Sequence, residues 1–137
     1  MQVTIRPGRA EGQIAAPPSK SAAHRLLLAA GLCSQQSTVR RADLSQDILA
    51  TIDCLRALGT TVTEQRAPGG RYVDLRVRGL RLLRSRGTTL PCRESGSTMR
   101  FFLPLALATG APVILTGAPR LLERPMTVYE TICREQG

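Results

Sequence analysis

The sequence predicts an α/β (α+β) fold in which a βαβαββ unit occurs once in full and then begins again. Three features point there. Short β-branched or alternating stretches, bounded by turn residues, take turns with apolar runs of helical spacing. A serine-led, Ala/Leu-rich helical stretch occurs twice, at Ser19-Lys20-Ser21 and at Ser95-Gly96-Ser97. Hydrophobic residues make up 42% of the 137, but aromatics only 3% with no tryptophan, so the core must be aliphatic.

In chain order, residues 2–5 and 12–15 are strand candidates separated by Pro7 and Gly8. Pro17 and Pro18 stiffen the approach to Ser19, and a helix follows over about 21–32 with Gly31 near its end. Residues 37–41 read as a strand. Ser45 is expected to cap a second helix whose apolar face is Ile48, Leu49, Ile52, Leu55 and Leu58. Asp47 favours that helix's N-terminus, and Gly59 fits its C′ position. The β-branched run 60–65, the turn Pro68-Gly69-Gly70 and the alternation of Val73, Leu75 and Val77 with Asp74, Arg76 and Arg78 make a hairpin.

The order then restarts. Ser95, Gly96, Ser97 and Arg100 run into FFLPLALATG as Ser19, Ser21 and Arg25 run into LLLAAGL. Residues 113–116 repeat the strand, and Pro125 opens a helix in which Ile132-Cys133-Arg134 echoes Cys54-Leu55-Arg56. An offset of roughly 75 residues exceeds the common solenoid periods and marks a duplicated domain-sized unit. The second copy stops before any hairpin, so the chain reads as truncated. Pro104 removes one helical hydrogen bond and should bend the third helix.

Lys20, the sole lysine, stands with Ser19 and Ser21 at a helix start, and Arg25 lies one turn on. Orphan backbone donors, the helix dipole and these side chains suit phosphate or carboxylate. A formal charge of +9 suits either a polyanion or a small multiply charged anion. The arginines are scattered without interleaved aromatics, which makes a nucleic-acid-binding module the weaker reading. Four widely spaced cysteines (Cys33, Cys54, Cys92, Cys133) and one histidine argue against zinc. Cys54 and Cys133 read as small core residues, and Cys92 lies beside the Gly96 motif. No apolar run would span a bilayer and no apolar leader opens the chain, so a cytoplasmic protein with reduced thiols is expected.

PPSKSAAHR, ESGSTMRFF and LTGAPRLLERPM, with SQDILATIDCLRALG between them, together resemble the N-terminal part of the 5-enolpyruvylshikimate-3-phosphate synthases. The resemblance covers essentially the whole chain. It implies the inverse α/β barrel of the enolpyruvyl transferases, here incomplete. Residues 1–16 would be strands of the other domain, and 17–137 a partial N-terminal domain with one unit at about 17–80 and an incomplete one at about 88–137. The implied reaction joins shikimate 3-phosphate to phosphoenolpyruvate without cofactor or metal. The substrate 5-hydroxyl attacks the enol carbon, a tetrahedral intermediate forms and phosphate leaves.

By the same resemblance, Lys20 contacts the phosphoenolpyruvate phosphate and both substrates, and takes part in proton transfer. Ser21 and Arg25 hold shikimate 3-phosphate. Gly96 packs against phosphoenolpyruvate or the inhibitor glyphosate, and Arg124 grips the phosphoenolpyruvate anion with its planar fork. One departure stands out: a loop often reading N-A-G-T-A is here Glu94-Ser95-Gly96-Ser97-Thr98, so Glu94 should pair with an arginine such as Arg100. Arg100 is expected to be structural, His24 a helix-surface or packing residue and not a catalyst, and Arg120 no part of the site. The alternative within the fold is the transferase acting on UDP-N-acetylglucosamine, which usually has Lys-Asn where this chain has Lys20-Ser21. Partners implied are the two anionic substrates and the missing C-terminal portion. The chain alone is expected to be inactive, to bind shikimate 3-phosphate weakly and to self-associate through exposed apolar surface.

Overall fold

The computed structural model describes residues 2–9, 11–66, 70–80 and 87–136. The first helix, α1, runs Lys20–Leu32. It starts one residue before the predicted position because Ser19, in extended backbone, accepts the Ala22 amide at 3.2 Å and caps it. Strand β1 (Gln36–Ala42) and helix α2 (Gln46–Ala57) follow. Ser45 occupies the α2 cap position but its side chain makes no capping bond. Gly59, at φ +100°, reverses the chain after α2 into β2 (Thr61–Arg66).

Strand β3 (Val73–Arg78) lies between β1 and β2, antiparallel to both. Val39 pairs with Leu75 and Val62 with Val77, so the predicted alternation sends Val73, Leu75 and Val77 to one face. All three are buried, and against them lie Leu27 of α1 and Ile48, Ile52 and Leu55 of α2. Each such aliphatic side chain contributes about 1.5–3 kcal/mol relative to exposure. Where α1 meets α2, a Cβ on Gly31 would come within 2.5 Å of Leu55 Cδ2, so this crossing requires glycine or a shifted Leu55.

A two-stranded parallel sheet follows: β4 (Thr88–Pro91) and β5 (Val113–Thr116), joined by α3 (Gly96–Ala108). Ser95 caps α3 by accepting the Thr98 amide at 3.1 Å, the same arrangement that Ser19 makes on α1. Pro104 sits on an exposed part of α3, and the helix continues through it. The short α4 (Pro119–Leu122) and α5 (Thr127–Gln136) complete the order.

The sequence reading needs correction in three places. Residues 2–5 and 12–15 pair with no strand among the described residues, and Ile5 and Ile14 are each 88% exposed; a strand without a partner has no ladder to form. Strand β4 was not anticipated, because four residues ending in proline give no alternation to read. Cys133 is half-buried rather than a core residue. The predicted turn at Pro68-Gly69-Gly70 lies largely outside the described residues.

Candidate functional site

Lys20 opens α1, and its ammonium pairs with the Asp47 carboxylate at the start of α2. The Asp47 backbone carbonyl accepts from the Thr98 hydroxyl in the first turn of α3 at 3.3 Å, so this one residue ties together the starts of three helices. The Lys20 hydrogen bond holds the Asp47 carboxyl below the usual carboxylate range, aided by Ser95 and opposed by partial burial. A small cavity of about 90 Å³ beside Lys20 is lined by Pro18, Asp43 and Ser45, and the buried Ser45 hydroxyl has no partner there among the described residues.

Behind Asp47 a row of buried groups runs back into the core. Thr98 Oγ1 lies 2.8 Å from Ser95 Oγ, Thr51 Oγ1 lies 2.9 Å from Thr98 Oγ1, and His24 Nδ1 lies 2.7 Å from Thr51 Oγ1. Each hydroxyl has one proton to give. Thr98 gives its proton to Ser95 or to the Asp47 carbonyl at 3.3 Å, so Thr51 donates to Thr98, which leaves His24 Nδ1 as donor to Thr51. The donor count therefore assigns the Nδ1–H tautomer to neutral His24. Its Nε2 is then an acceptor, and it is buried without a partner among the described residues. Burial pushes the imidazole pKa down, with Lys20 and Arg25 adding to that and Asp47 opposing it. His24 is thus a packing residue, as its place on an apolar helix implied, and also the far end of this row.

Gly96 opens α3 at a point where a side chain would displace an arginine. A Cβ there would fall inside van der Waals contact of Arg124 Nη1 and 3.1 Å from Arg100 Nη1. The two guanidiniums lie against the α3 N-terminus, where backbone donors and the helix dipole already favour an anion. Arg25 turns back along α1 to donate to the Ser21 carbonyl at 2.9 Å, with its guanidinium 5.4 Å from the centre of the Phe101 ring. The structure therefore places Lys20 on Asp47, whose carbonyl is bonded to Thr98 in the first turn of α3, and Arg124 against Gly96 at the start of that helix, with Ser21 and Arg25 exposed on α1.

Two expectations about charged neighbours are corrected. Glu94 forms no ion pair among the described residues, with Arg100 or any other. It instead lines an open cleft of about 520 Å³ with Arg120, Leu121 and Arg124, so Arg120 belongs beside the site rather than outside it. Asp47 was legible only as a favourable charge at a helix start; its pairing with Lys20 spans 27 residues and no local pattern encodes it.

Among the described residues no group of three or more His, Cys, Asp or Glu could hold a metal, and no helix is long and apolar enough to cross a membrane. The chain is an α/β protein whose capped helix N-termini lie beside arginines, an arrangement that favours anions. More specifically, residues 5–134 match the family model for EPSP synthase (3-phosphoshikimate 1-carboxyvinyltransferase), and the chain belongs to that family. It is 38% identical over 134 residues to a 3-phosphoshikimate 1-carboxyvinyltransferase of Clostridium kluyveri, covering 98% of this chain and 30% of that protein. A relative of the same name from Clostridium novyi is 38% identical over 138 residues, covering 98% and 32%. An EPSP synthase structure from Acinetobacter baumannii superposes with a TM-score of 0.77 at 23% identity, over 92% of this chain and 28% of that one. The chain thus carries part of the inverse α/β barrel fold, and spans about 30% of the length of the curated relatives it matches.

Proposed function

We propose that this chain supplies one wall of an enolpyruvyl transfer site, at which phosphoenolpyruvate and the 5-hydroxyl of shikimate 3-phosphate are joined in the shikimate pathway. The observation that carries this reading is Asp47, whose carboxylate holds Lys20 of α1 and whose backbone carbonyl accepts from Thr98 of α3, so that two helix N-termini lie side by side. Two adjacent anion-favouring termini suit a reaction between two anionic substrates.

In this reading Ser21 and Arg25 hold the phosphate of shikimate 3-phosphate, and Arg25 is free of ion pairs among the described residues. Lys20 contacts both substrates and moves the proton to or from the reacting carbon. Gly96 leaves room for phosphoenolpyruvate beneath the Arg124 guanidinium, which supplies a planar pair of donors to carboxylate or phosphate. Residues 17–137 would form part of one domain, residues 1–16 would pair with the other, and the remaining acid/base groups come from sequence beyond this chain. The enzyme works in the cytoplasm, and this chain by itself does not turn over.

Titration calorimetry of the chain with shikimate 3-phosphate tests the assignment. Weak saturable binding that falls at least ~10-fold in Arg25→Gln is the expected result. Binding indifferent to Arg25→Gln and Ser21→Ala contradicts it.

A further inference from the structure

The segment carrying Glu94 is fixed in place far more firmly than an exposed turn requires. Arg93 takes the left-handed conformation (φ +52°), and its guanidinium is held by Asp53 Oδ2 at 2.6 and 3.0 Å and by Gln46 Oε1 at 2.7 Å. On the other side, the Cys92 amide donates to the Thr116 carbonyl at 2.8 Å, and the Ala118 amide donates to the Arg93 carbonyl at 2.7 Å. Gly117 fits between, since a Cβ there would meet the Arg93 carbonyl at 2.8 Å. The turn bearing Glu94 is thereby stapled to the segment that leads into Arg120 and Arg124. The three side chains line one cleft, and none is in an ion pair among the described residues. A carboxylate held beside two guanidiniums without pairing to either acts on whatever enters between them.

We propose that Glu94 and Arg120 set the anion affinity and selectivity of this cleft with opposite signs. Arg120 is a second guanidinium for a ligand carrying phosphate and carboxylate together, and Glu94 a fixed negative charge that weakens the binding of such a ligand. This rests on reading the Arg124 cleft as the phosphoenolpyruvate side of the site, and it deepens that reading. A cleft with Arg124 alone would hold a single anionic group. Two guanidiniums on one wall can each take one of the ligand's two anionic groups, while Glu94 penalises the extra charge in proportion to its closeness. The pair would act as a selectivity filter between more and less highly charged ligands.

Binding of phosphoenolpyruvate and of inorganic phosphate to the whole chain, followed by amide chemical-shift titration at low salt, tests this. Glu94→Gln is expected to tighten phosphoenolpyruvate binding about 3- to 10-fold, and Arg120→Gln to weaken it by a similar factor, both changes shrinking as salt rises. The effect on inorganic phosphate should be smaller in each case. Glu64→Gln, the same charge change on β2, should leave both affinities within about twofold. Unchanged or weaker binding in Glu94→Gln, unchanged binding in Arg120→Gln, or an equal gain in Glu64→Gln overturns the proposal. Binding lost in Arg124→Gln but indifferent to Glu94 sinks this inference alone. No phosphoenolpyruvate binding in either the native chain or Glu94→Gln sinks the reading of the cleft as well.

Discussion

The hydroxyls of Thr51 on α2 and Thr98 on α3 meet at 2.9 Å in the interior of the protein, 47 residues apart in sequence. Thr98 is fully buried and Thr51 almost so. They form the middle of the row that begins at His24 and ends on Ser95 and the Asp47 backbone carbonyl, and so fix α3 against α2 behind the proposed site.

Replacing Thr98 by valine keeps the shape but removes the acceptor of the buried Thr51 proton and a donor to Ser95, so destabilisation of about 1–3 kcal/mol is expected. Thr98→Ser keeps the hydroxyl and should cost less. Urea denaturation of the two variants checks this; equal stability of valine and native chains would remove the row from any structural role.

Acid should act in two stages. The folded His24 pKa is lowered, chiefly by burial, so its contribution is complete above the ordinary value of 6.5 and is lost progressively as pH falls below it. The folded Asp47 pKa is also lowered, chiefly by the Lys20 hydrogen bond. Its contribution is therefore present above 3.8 and lost as pH falls through the folded value. Imidazole resonances of His24 should show the Nδ1–H tautomer and titrate below pH 6.5. Titration at or above 6.5 contradicts the burial argument.

Gly96→Ala should barely alter folding, because the atom a Cβ would displace is the far end of the Arg124 side chain. The displaced guanidinium would no longer face the α3 N-terminus, and phosphoenolpyruvate affinity should drop about tenfold or more. Preserved affinity would place the anion elsewhere.

Thiol reactivity should sort by burial. Cys33 is exposed, whereas Cys54 and Cys92 are fully buried, and the hydrogen bond to Cys92 together with burial pushes the Cys54 thiol up. Brief alkylation followed by mass spectrometry should therefore label Cys33 first and leave Cys54 and Cys92 unmodified until denaturant is added. Labelling of Cys54 in the native chain would mean the α2–β4 packing opens readily.

Much of this was readable in the sequence where physics is local. The serine caps of α1 and α3, the apolar face of α2 and the alternation of β3 follow from spacing alone, and the structure contains each. Three things were hidden because they depend on distant partners. Strand β4 exists through its pairing with β5, not through its own four residues. Arg120 enters the cleft because Ala118 is bonded to Arg93. His24 looked like packing, which it is, but the hydroxyls that give its Nδ1 a partner lie on two other helices. The family motifs, by contrast, draw on three separate stretches at once, which is why Lys20, Gly96 and Arg124 can be named together without any local pattern joining them.

The most direct measurement is phosphate release from phosphoenolpyruvate and shikimate 3-phosphate, assayed with this chain alone and with a separately expressed C-terminal portion of a relative. Turnover only in the mixture, abolished by Lys20→Met, is the result this account predicts. Turnover by the chain alone, or a mixture whose activity survives Lys20→Met, would contradict it.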